Sequence, residues 1–224
     1  YTGENGMFID KVRTQIEDWY QEKLINENEY YVLIACLIET VPFYANISGV
    51  YGAFHKKWDQ RALKGMHLRC IETIDNNRQN YVFNVDSKQI LGECSADIYY
   101  LDPPYNQRQY APNYHLLETI ARYDNPIIKG VSGMRDYSEQ KSRFCQKRYA
   151  LDELESYVRD GNYKHLVLSY NSEGLMQTEQ ILEVMQSFGK VELVEFDYAR
   201  YKSNNNGANK NKRTIKEQLY LLSK

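Results

Sequence analysis

Asp97-Ile-Tyr-Tyr-Leu-Asp-Pro-Pro-Tyr105 is the stretch that decides the fold. An apolar run typical of a buried β-strand ends there in an acid, two prolines and an aromatic residue. Because proline has no amide hydrogen and cannot continue a sheet, the prolines place the end of the strand at Leu101. Function in open α/β sheets collects at the carboxyl ends of strands. The stretch therefore predicts both a sheet and the position of its site.

The four residues Asp102-Pro103-Pro104-Tyr105, here called the acceptor turn, have the groups needed to hold an amino group on a planar ring. The prolines have fixed φ angles and no amide hydrogens, so the carbonyls of the turn point in one direction and are free to accept hydrogen bonds. Asp102 adds a second acceptor, and Tyr105 offers a flat face for stacking. The alternative is a tight strand-to-loop turn in which Asp102 caps the next amide. The position directly after a buried strand favours a site for the amino group of a nucleobase.

Short β-rich segments alternate with helical segments after residue 66. The apolar spacing predicts helices at 87–92, 114–123, 151–160 and 178–188. Strands are predicted at 67–74, 81–85, 97–101, 165–169, 190–198 and 214–222. Such alternation predicts an α/β fold with a parallel, helix-flanked sheet. Because no helix separates the last two strands, we expect them to form an antiparallel pair at one sheet edge.

The first 66 residues have a different pattern, which predicts helices over 8–24 and about 29–45. These two helices form a hairpin that covers a core face or offers a partner surface, and cover is the favoured interpretation. The predicted domains are therefore a helical hairpin with its connecting segment at 1–66 and a second region at 67–224.

The composition excludes several classes of protein. Of the 224 residues, 42% are hydrophobic and 26% are charged, as in ordinary globular chains. No apolar run approaches the roughly 20 residues that a membrane span needs, so no membrane partner is expected. The four cysteines are dispersed, which argues against a zinc site and a disulfide framework, and no metal is expected. With a net charge of −2, a nucleic-acid surface requires segregated basic residues.

At the acceptor turn the sequence resembles a known family. Asp102-Pro103-Pro104-Tyr105 is similar to the catalytic motif of adenine-specific amino-methyltransferases that use S-adenosylmethionine, and in particular of Dam-related DNA adenine methylases. The segments 102–117 and 168–174 are similar to modification methylases of type II restriction systems. The resemblance covers most of the chain from Phe8 onward. It implies a Rossmann-like methyltransferase sheet with an antiparallel C-terminal edge pair, together with a small helical subdomain.

The resemblance implies site-specific methyl transfer from S-adenosylmethionine to the exocyclic amine of an adenine flipped out of duplex DNA. The Asp102 carboxylate and the Pro103 carbonyl would accept the two amino hydrogens, Pro104 would fix the turn, and Tyr105 would stack on the base. The implied partners are double-stranded DNA and a cognate restriction endonuclease. The implied location is the bacterial cytoplasm, at the nucleoid.

Asp86 follows the predicted strand 81–85. It matches the family's acid that accepts a hydrogen bond from the adenine amino group of the cofactor, with the Ser87 backbone beside the ring. The alternative is an ordinary helix N-cap, because aspartate followed by serine is also typical of that position.

Polar and basic residues near the acceptor turn and in later segments are candidates for contacts with DNA. By resemblance, Tyr110, Asn113 and Tyr114 lie near the flipped base. Because basic residues cluster in 129–150 and beside the Asn-rich loop at 202–213, target recognition is expected in an insertion at about 122–150 and in that loop. Ser169 and Asn171 belong to a segment that shapes the target-base side of the pocket or merely closes a strand. Basic side chains position phosphates, with a solvated loop as the alternative for each. The basic candidates are Arg108, Arg135, Lys202, Lys210, Lys212 and Arg213.

The sequence departs from the family's pattern in one respect. The family's cofactor loop, an aromatic-x-Gly-x-Gly segment, has no counterpart, because none of the twelve glycines forms a Gly-x-Gly pair. One and a half βαβ units, on the order of 50 residues, are absent by this comparison. We therefore expect a sheet that is incomplete at its N-terminal half. We expect the 224 residues to be one part of a longer protein, a product of cleavage, or a chain that a second chain completes.

Two other functions stay open at this point. Related folds use the same turn on guanine in RNA, so one alternative is a ribosomal RNA guanine or adenine amino-methyltransferase. The absent cofactor loop motivates the other, an inactive DNA-binding fragment.

Overall fold

The computed structural model describes residues 1–199 and 214–224. These residues form two compact units. The helical unit comprises residues 1–80 and 110–140, and the sheet unit comprises residues 81–109 and the described part of 141–224. The predicted domain boundary at residue 66 stays a prediction.

The helical unit contains α1 at Gly3–Gln21, α2 at Glu27–Thr40 and α3 at Tyr110–Arg122. The helical hairpin predicted from the apolar spacing is confirmed as α1 and α2. Helix α2 begins with a capping box, in which Asn26 and Glu29 satisfy each other's backbone amides. A short 3-10 helix at Val41–Tyr44 follows it. The core of this unit consists of Ile9, Leu37, Val41, Tyr44, Met66 and Ile120.

A buried guanidinium stabilises the end of α3. Arg13 lies on α1, and its Nε donates to the Ile120 carbonyl at 2.8 Å. One terminal nitrogen donates to Tyr30 at 2.7 Å and the other to Glu17 at 3.0 Å. Carbonyls at the end of a helix have no partner within the helix, so Arg13 satisfies one that would otherwise be buried without a donor.

The sheet unit contains four described strands: β1 at Ser95–Leu101, β2 at Asn162–Asn171, β3 at Lys190–Ala199 and β4 at Thr214–Ser223. Their order is β1-β2-β4-β3. Strands β1 and β2 are parallel, with Leu101 opposite Leu168 at the end of the ladder. Strand β4 pairs antiparallel with both β2 and β3. The predicted parallel pairing and the antiparallel edge pair are both confirmed.

Two helices accompany this sheet, α4 at Ala150–Asp160 and α5 at Thr178–Gln186, and both were predicted from the apolar spacing. The helix predicted at 87–92 is a single 3-10 turn at Ser87–Ile90. Further 3-10 turns lie at Ser138–Gln140 and Arg143–Cys145. The centre of the core is formed by Leu154, Leu166, Leu168, Ile181, Met185 and Tyr220.

The strands predicted at 67–74 and 81–85 are wrong. Neither segment joins a sheet among the described residues. The amides of Arg69 and Ile71 instead donate to the Thr40 hydroxyl and the Cys36 sulfur of α2. In the second segment Val82 is 94% exposed. An apolar, β-branched segment becomes a strand only where a partner strand stabilises it, and neither of these two segments has one among the described residues.

Across the described part of the chain, no helix is both long and apolar enough to span a lipid bilayer.

Candidate active site

The acceptor turn lies at the carboxyl end of β1, directly after the last pair of the β1–β2 ladder. Asp102 is exposed, and Pro103 and Pro104 are half-buried. Within the described residues, neither the Asp102 carboxylate nor the Pro103 carbonyl receives a hydrogen bond. Two acceptors at the edge of the sheet are therefore open to a donor from outside the chain.

The main chain of the acceptor turn is anchored while its aromatic ring is left accessible. The Tyr105 carbonyl accepts from the Leu175 amide at 2.9 Å and from the Tyr170 hydroxyl at 3.4 Å. Tyr170 itself is 3% exposed, and its oxygen also accepts from the Met176 amide at 3.2 Å. Burial raises the pKa of Tyr170, so its hydroxyl keeps its proton and donates it. The Tyr105 side chain is 42% exposed, which leaves its ring free for stacking.

The residues after the acceptor turn are tied to the segment that precedes α4. The Gln109 side chain donates to the Ser142 carbonyl at 3.0 Å and accepts from the Ser142 amide at 2.8 Å. The Cys145 thiol donates to the Arg108 carbonyl at 3.3 Å. These contacts fix the backbone at Arg108 and leave its side chain exposed. Arg108 follows the acceptor turn by three residues, and its guanidinium is exposed to solvent.

Asp86 and Ser87 form a second turn, here called the Asp86-Ser87 turn, which starts the 3-10 helix of the sheet unit. One Asp86 oxygen accepts from the Lys88 amide at 2.9 Å, as the N-cap alternative predicts. The other oxygen receives no hydrogen bond from any described residue. The same side chain therefore caps the turn and keeps one acceptor open.

Helix α4 holds this turn through its side chains. The Ser87 hydroxyl and the Tyr157 hydroxyl share a hydrogen bond of 2.7 Å. The Lys88 ammonium lies 3.2 Å from Glu153, whose side chain is buried and also lies 3.3 Å from the Arg143 guanidinium. Burial raises the pKa of Tyr157, which keeps this hydroxyl protonated. Glu153 and Tyr157 are four residues apart, so one face of α4 meets the turn.

The end of β2 lies beside the acceptor turn. Ser169 is half-buried there, and Asn171 is buried. The Asn171 side chain donates to Glu217 at 2.8 Å and accepts from the Glu173 amide at 2.9 Å. These bonds close the strand end, and the predicted contact of Ser169 and Asn171 with a target base stays a prediction.

Three predicted base-side residues lie in the first turns of α3, within the helical unit. Tyr110 and Tyr114 are exposed, with ring centroids 6.3 Å apart. The backbone at Tyr114 leaves helical geometry, with φ −122° and ψ 18°. The Asn113 carbonyl accepts from the Tyr51 amide at 2.8 Å. Two accessible aromatic rings therefore stand at the start of α3.

Arg135 is placed differently from the other basic candidates. It is buried, and its guanidinium forms a forked pair with Asp124, with one distance of 3.0 Å. The guanidinium holds the pKa of Asp124 below its usual range. The pair closes the 124–135 segment on itself, so a DNA phosphate would have to compete with Asp124 for Arg135. Four further basic candidates, Lys202, Lys210, Lys212 and Arg213, lie outside the described residues.

Among the residues that hold the two turns, sequence reasoning missed Gln109, Glu153 and Tyr157. It included Tyr170 and Gly174 only as members of the segment 168–174, without a role of their own. One signal was present in the sequence. A tyrosine within an apolar strand or helix face needs a hydrogen-bond partner when it is buried, which applies to both Tyr157 and Tyr170. That signal indicates that a partner exists and does not say which one.

Most of the chain matches the model of one protein family. The model of the family described as D12 class N6 adenine-specific DNA methyltransferase matches residues 2–189. The chain belongs to this family.

Curated relatives of this D12-class chain are type II methyltransferases or modification methylases by name. The type II methyltransferase M.FokI of Planomicrobium okeanokoites is 44% identical over 206 residues, which are 91% of this chain and 32% of that protein. The modification methylase StsI of Streptococcus sanguinis is 39% identical over 98% of this chain and 34% of its own length. The type II methyltransferase M.NlaIII of Neisseria lactamica is 40% identical over 100% of this chain and 67% of its own length. The chain thus spans about a third of the first two relatives. No solved structure matches it at a significant level.

Proposed function

We propose that the protein transfers a methyl group from S-adenosylmethionine to the exocyclic amine of an adenine flipped out of duplex DNA. The observation that carries the proposal is the acceptor turn, where an open carboxylate and an open carbonyl stand beside an accessible aromatic ring. A flipped adenine presents two amino hydrogens and a flat ring, and these groups are complementary to the turn.

In this proposal the acceptor turn prepares the nitrogen for attack. The Asp102 carboxylate and the Pro103 carbonyl accept the two amino hydrogens and draw the nitrogen lone pair out of conjugation with the ring. Tyr105 stacks on the base and fixes its plane. The new nitrogen–carbon bond forms as the carbon–sulfur bond breaks, and the amine then releases one proton to water. Positioning and charge complementarity supply most of the acceleration.

The Asp86-Ser87 turn fits one part of the family's cofactor, its adenine, whereas the cofactor loop has no counterpart in the sequence. When bound, S-adenosylmethionine supplies a methyl group activated by a sulfonium. The open oxygen of Asp86 would accept from the amino group of its adenine, and the Ser87 backbone would lie along the ring. The Ser87 hydroxyl already forms a hydrogen bond with Tyr157, so its role is structural.

The remaining candidates are assigned to the DNA. Arg108 is exposed close to the acceptor turn and would hold a phosphate next to the flipped nucleotide. Tyr110, Asn113 and Tyr114 would contact the base or its neighbours, and Arg135 would organise the 124–135 segment. The names of the relatives support a modification role in a bacterial restriction system, in which methylation protects sites from a cognate endonuclease.

Nucleoside analysis tests the proposed reaction. The intact protein is incubated with methyl-labelled S-adenosylmethionine and either duplex DNA free of adenine methylation or ribosomal RNA, and the products are digested to nucleosides. The expected product is N6-methyladenine, from the duplex DNA only. Methylated guanosine from the RNA would overturn the proposal in favour of an RNA enzyme, and salt-dependent DNA binding without transfer would overturn it in favour of a binding module.

A further inference from the structure

We infer that Tyr170 is a positioning residue for the reaction: its buried hydroxyl and the Leu175 amide together fix the Tyr105 carbonyl, and this sets the plane of the Tyr105 ring against the flipped base. The inference rests on the proposed function for the role of Tyr105. It assigns the segment 168–174 a task other than direct contact with the base.

The hydrogen bonds around Tyr170 connect the two strand ends. Its oxygen donates to the Tyr105 carbonyl at 3.4 Å and accepts from the Met176 amide at 3.2 Å. The Leu175 amide donates to the same Tyr105 carbonyl at 2.9 Å. The shorter bond comes from the backbone, and the hydroxyl reaches both the Tyr105 carbonyl and the 175–176 segment. One buried side chain therefore links the acceptor turn to the chain that follows β2.

Gly174 makes this arrangement possible. A β-carbon at position 174 would lie 2.3 Å from the Tyr170 ring and 2.9 Å from the Asn171 carbonyl. Only a residue without a side chain lets the 171–174 turn fold closely over the ring. The Gly174 amide closes that turn by donating to the Asn171 carbonyl at 2.8 Å. The close approach brings Leu175 to the acceptor turn.

A purely structural role for Tyr170 makes a different prediction, and β2 offers a matched control. Tyr163 lies on the same strand, is buried like Tyr170, and donates its hydroxyl to the Val158 carbonyl at 2.5 Å. Burial raises the pKa of Tyr163 to about 12, and it raises that of Tyr170 as well. Tyr163 precedes the end of the strand by eight residues and has no hydrogen bond to the acceptor turn. Tyr→Phe at either position removes one buried hydroxyl and keeps the ring.

The first measurement is the kinetics of the intact methyltransferase with Tyr170→Phe or Tyr163→Phe. We expect Tyr170→Phe to lower kcat about tenfold, because small misplacements of reacting groups are costly, while KM for S-adenosylmethionine is unchanged. Both substitutions are expected to lower the melting temperature by similar amounts, because each removes one buried hydroxyl. Tyr163→Phe is expected to leave kcat unchanged. Equal kcat in the two variants would overturn the inference.

The second measurement does not depend on activity. Hydrogen exchange of the Leu175 amide should be about fivefold faster in Tyr170→Phe than in the unchanged protein, and unaltered in Tyr163→Phe. Unaltered exchange at Leu175 in Tyr170→Phe would show that the hydroxyl does not hold the turn. Altered exchange in a protein that does not methylate DNA would instead contradict the proposed function and leave the contact in place.

Discussion

The two turns of the candidate site are held in opposite ways. The acceptor turn is fixed through its main chain, where the Tyr105 carbonyl accepts from the Leu175 amide and from the buried Tyr170. The Asp86-Ser87 turn is fixed through side chains, with Ser87 on Tyr157 and the adjacent Lys88 on Glu153. The first arrangement is buried at its anchors, and the second includes partly exposed charges.

The difference shows how each turn keeps groups available for a ligand. Main-chain anchoring leaves the side chains of Asp102 and Tyr105 free, as contact with a substrate requires. Side-chain anchoring uses the Ser87 hydroxyl and leaves only the Asp86 carboxylate and the backbone. The ion pair of Lys88 with Glu153 is exposed at its Lys88 end and is therefore screened by salt, whereas fully buried hydrogen bonds are screened much less. Substitutions should therefore have larger effects at the acceptor turn than at the Asp86-Ser87 turn.

The largest effect is expected for Asp102→Asn, which replaces a charged acceptor of the acceptor turn by an amide. We expect kcat to fall about a thousandfold, as for the loss of one preorganised electrostatic partner, with DNA affinity almost unchanged. Asp97→Asn is the matched control. Asp97 is an exposed carboxylate on β1, the strand that ends at the acceptor turn, and it pairs with Lys164 at 2.6 Å. A normal turnover number in Asp102→Asn would contradict the proposed mechanism.

Gly174→Ala tests the buried anchor of the acceptor turn. The added methyl group would meet the Tyr170 ring at 2.3 Å, so we expect the free energy of unfolding to fall by about 1–3 kcal/mol and kcat to fall with it. Chemical denaturation and single-turnover kinetics measure the two effects. Gly92→Ala is the comparison, since a β-carbon there has no atom within 4 Å. Equal stability of the two variants would mean that the turn relaxes without cost.

Ser87→Ala and Tyr157→Phe probe the side-chain anchor of the Asp86-Ser87 turn. Each removes the same hydrogen bond, so each should weaken binding of S-adenosylmethionine about fivefold, and the double variant should be no weaker than either single one. Calorimetric titration of the intact protein measures the affinities, with DNA affinity as the internal control. Additive losses in the double variant would show that the two hydroxyls act separately.

Glu153→Gln is expected to have the smallest effect. It removes the charge that faces Lys88 at 3.2 Å and Arg143 at 3.3 Å, and both of those side chains are partly exposed. Affinity for S-adenosylmethionine should fall about twofold at low salt and recover at high salt. Glu155→Gln is the control, because its partner Arg159 lies on the same helix at 3.7 Å. A loss of affinity that is the same at low and high salt would show that Glu153 acts through packing and not through its charge.

Local chemistry explains the parts of the molecule that the sequence predicted. The proline pair after Leu101 places the end of β1, and the absence of a helix between the last two strands predicts their antiparallel pairing. The acceptor turn could be predicted as a site because an acid, two prolines and a tyrosine follow directly after a strand. Residues 67–74 and 81–85 have the same local signal as a strand, and they were predicted wrongly because a strand also needs a partner.

By itself, the sequence determined the helices α1 to α5, the end of β1 and the chemical groups of the acceptor turn. Each of these follows from residues near one another in the chain, through proline geometry, capping side chains and apolar spacing. The tertiary structure alone decided that residues 67–74 and 81–85 form no strand, that Arg135 faces Asp124, and that Tyr170 holds Tyr105 from 65 residues away. Such contacts depend on which distant surfaces meet when the core is buried, and short-range patterns do not specify that partner.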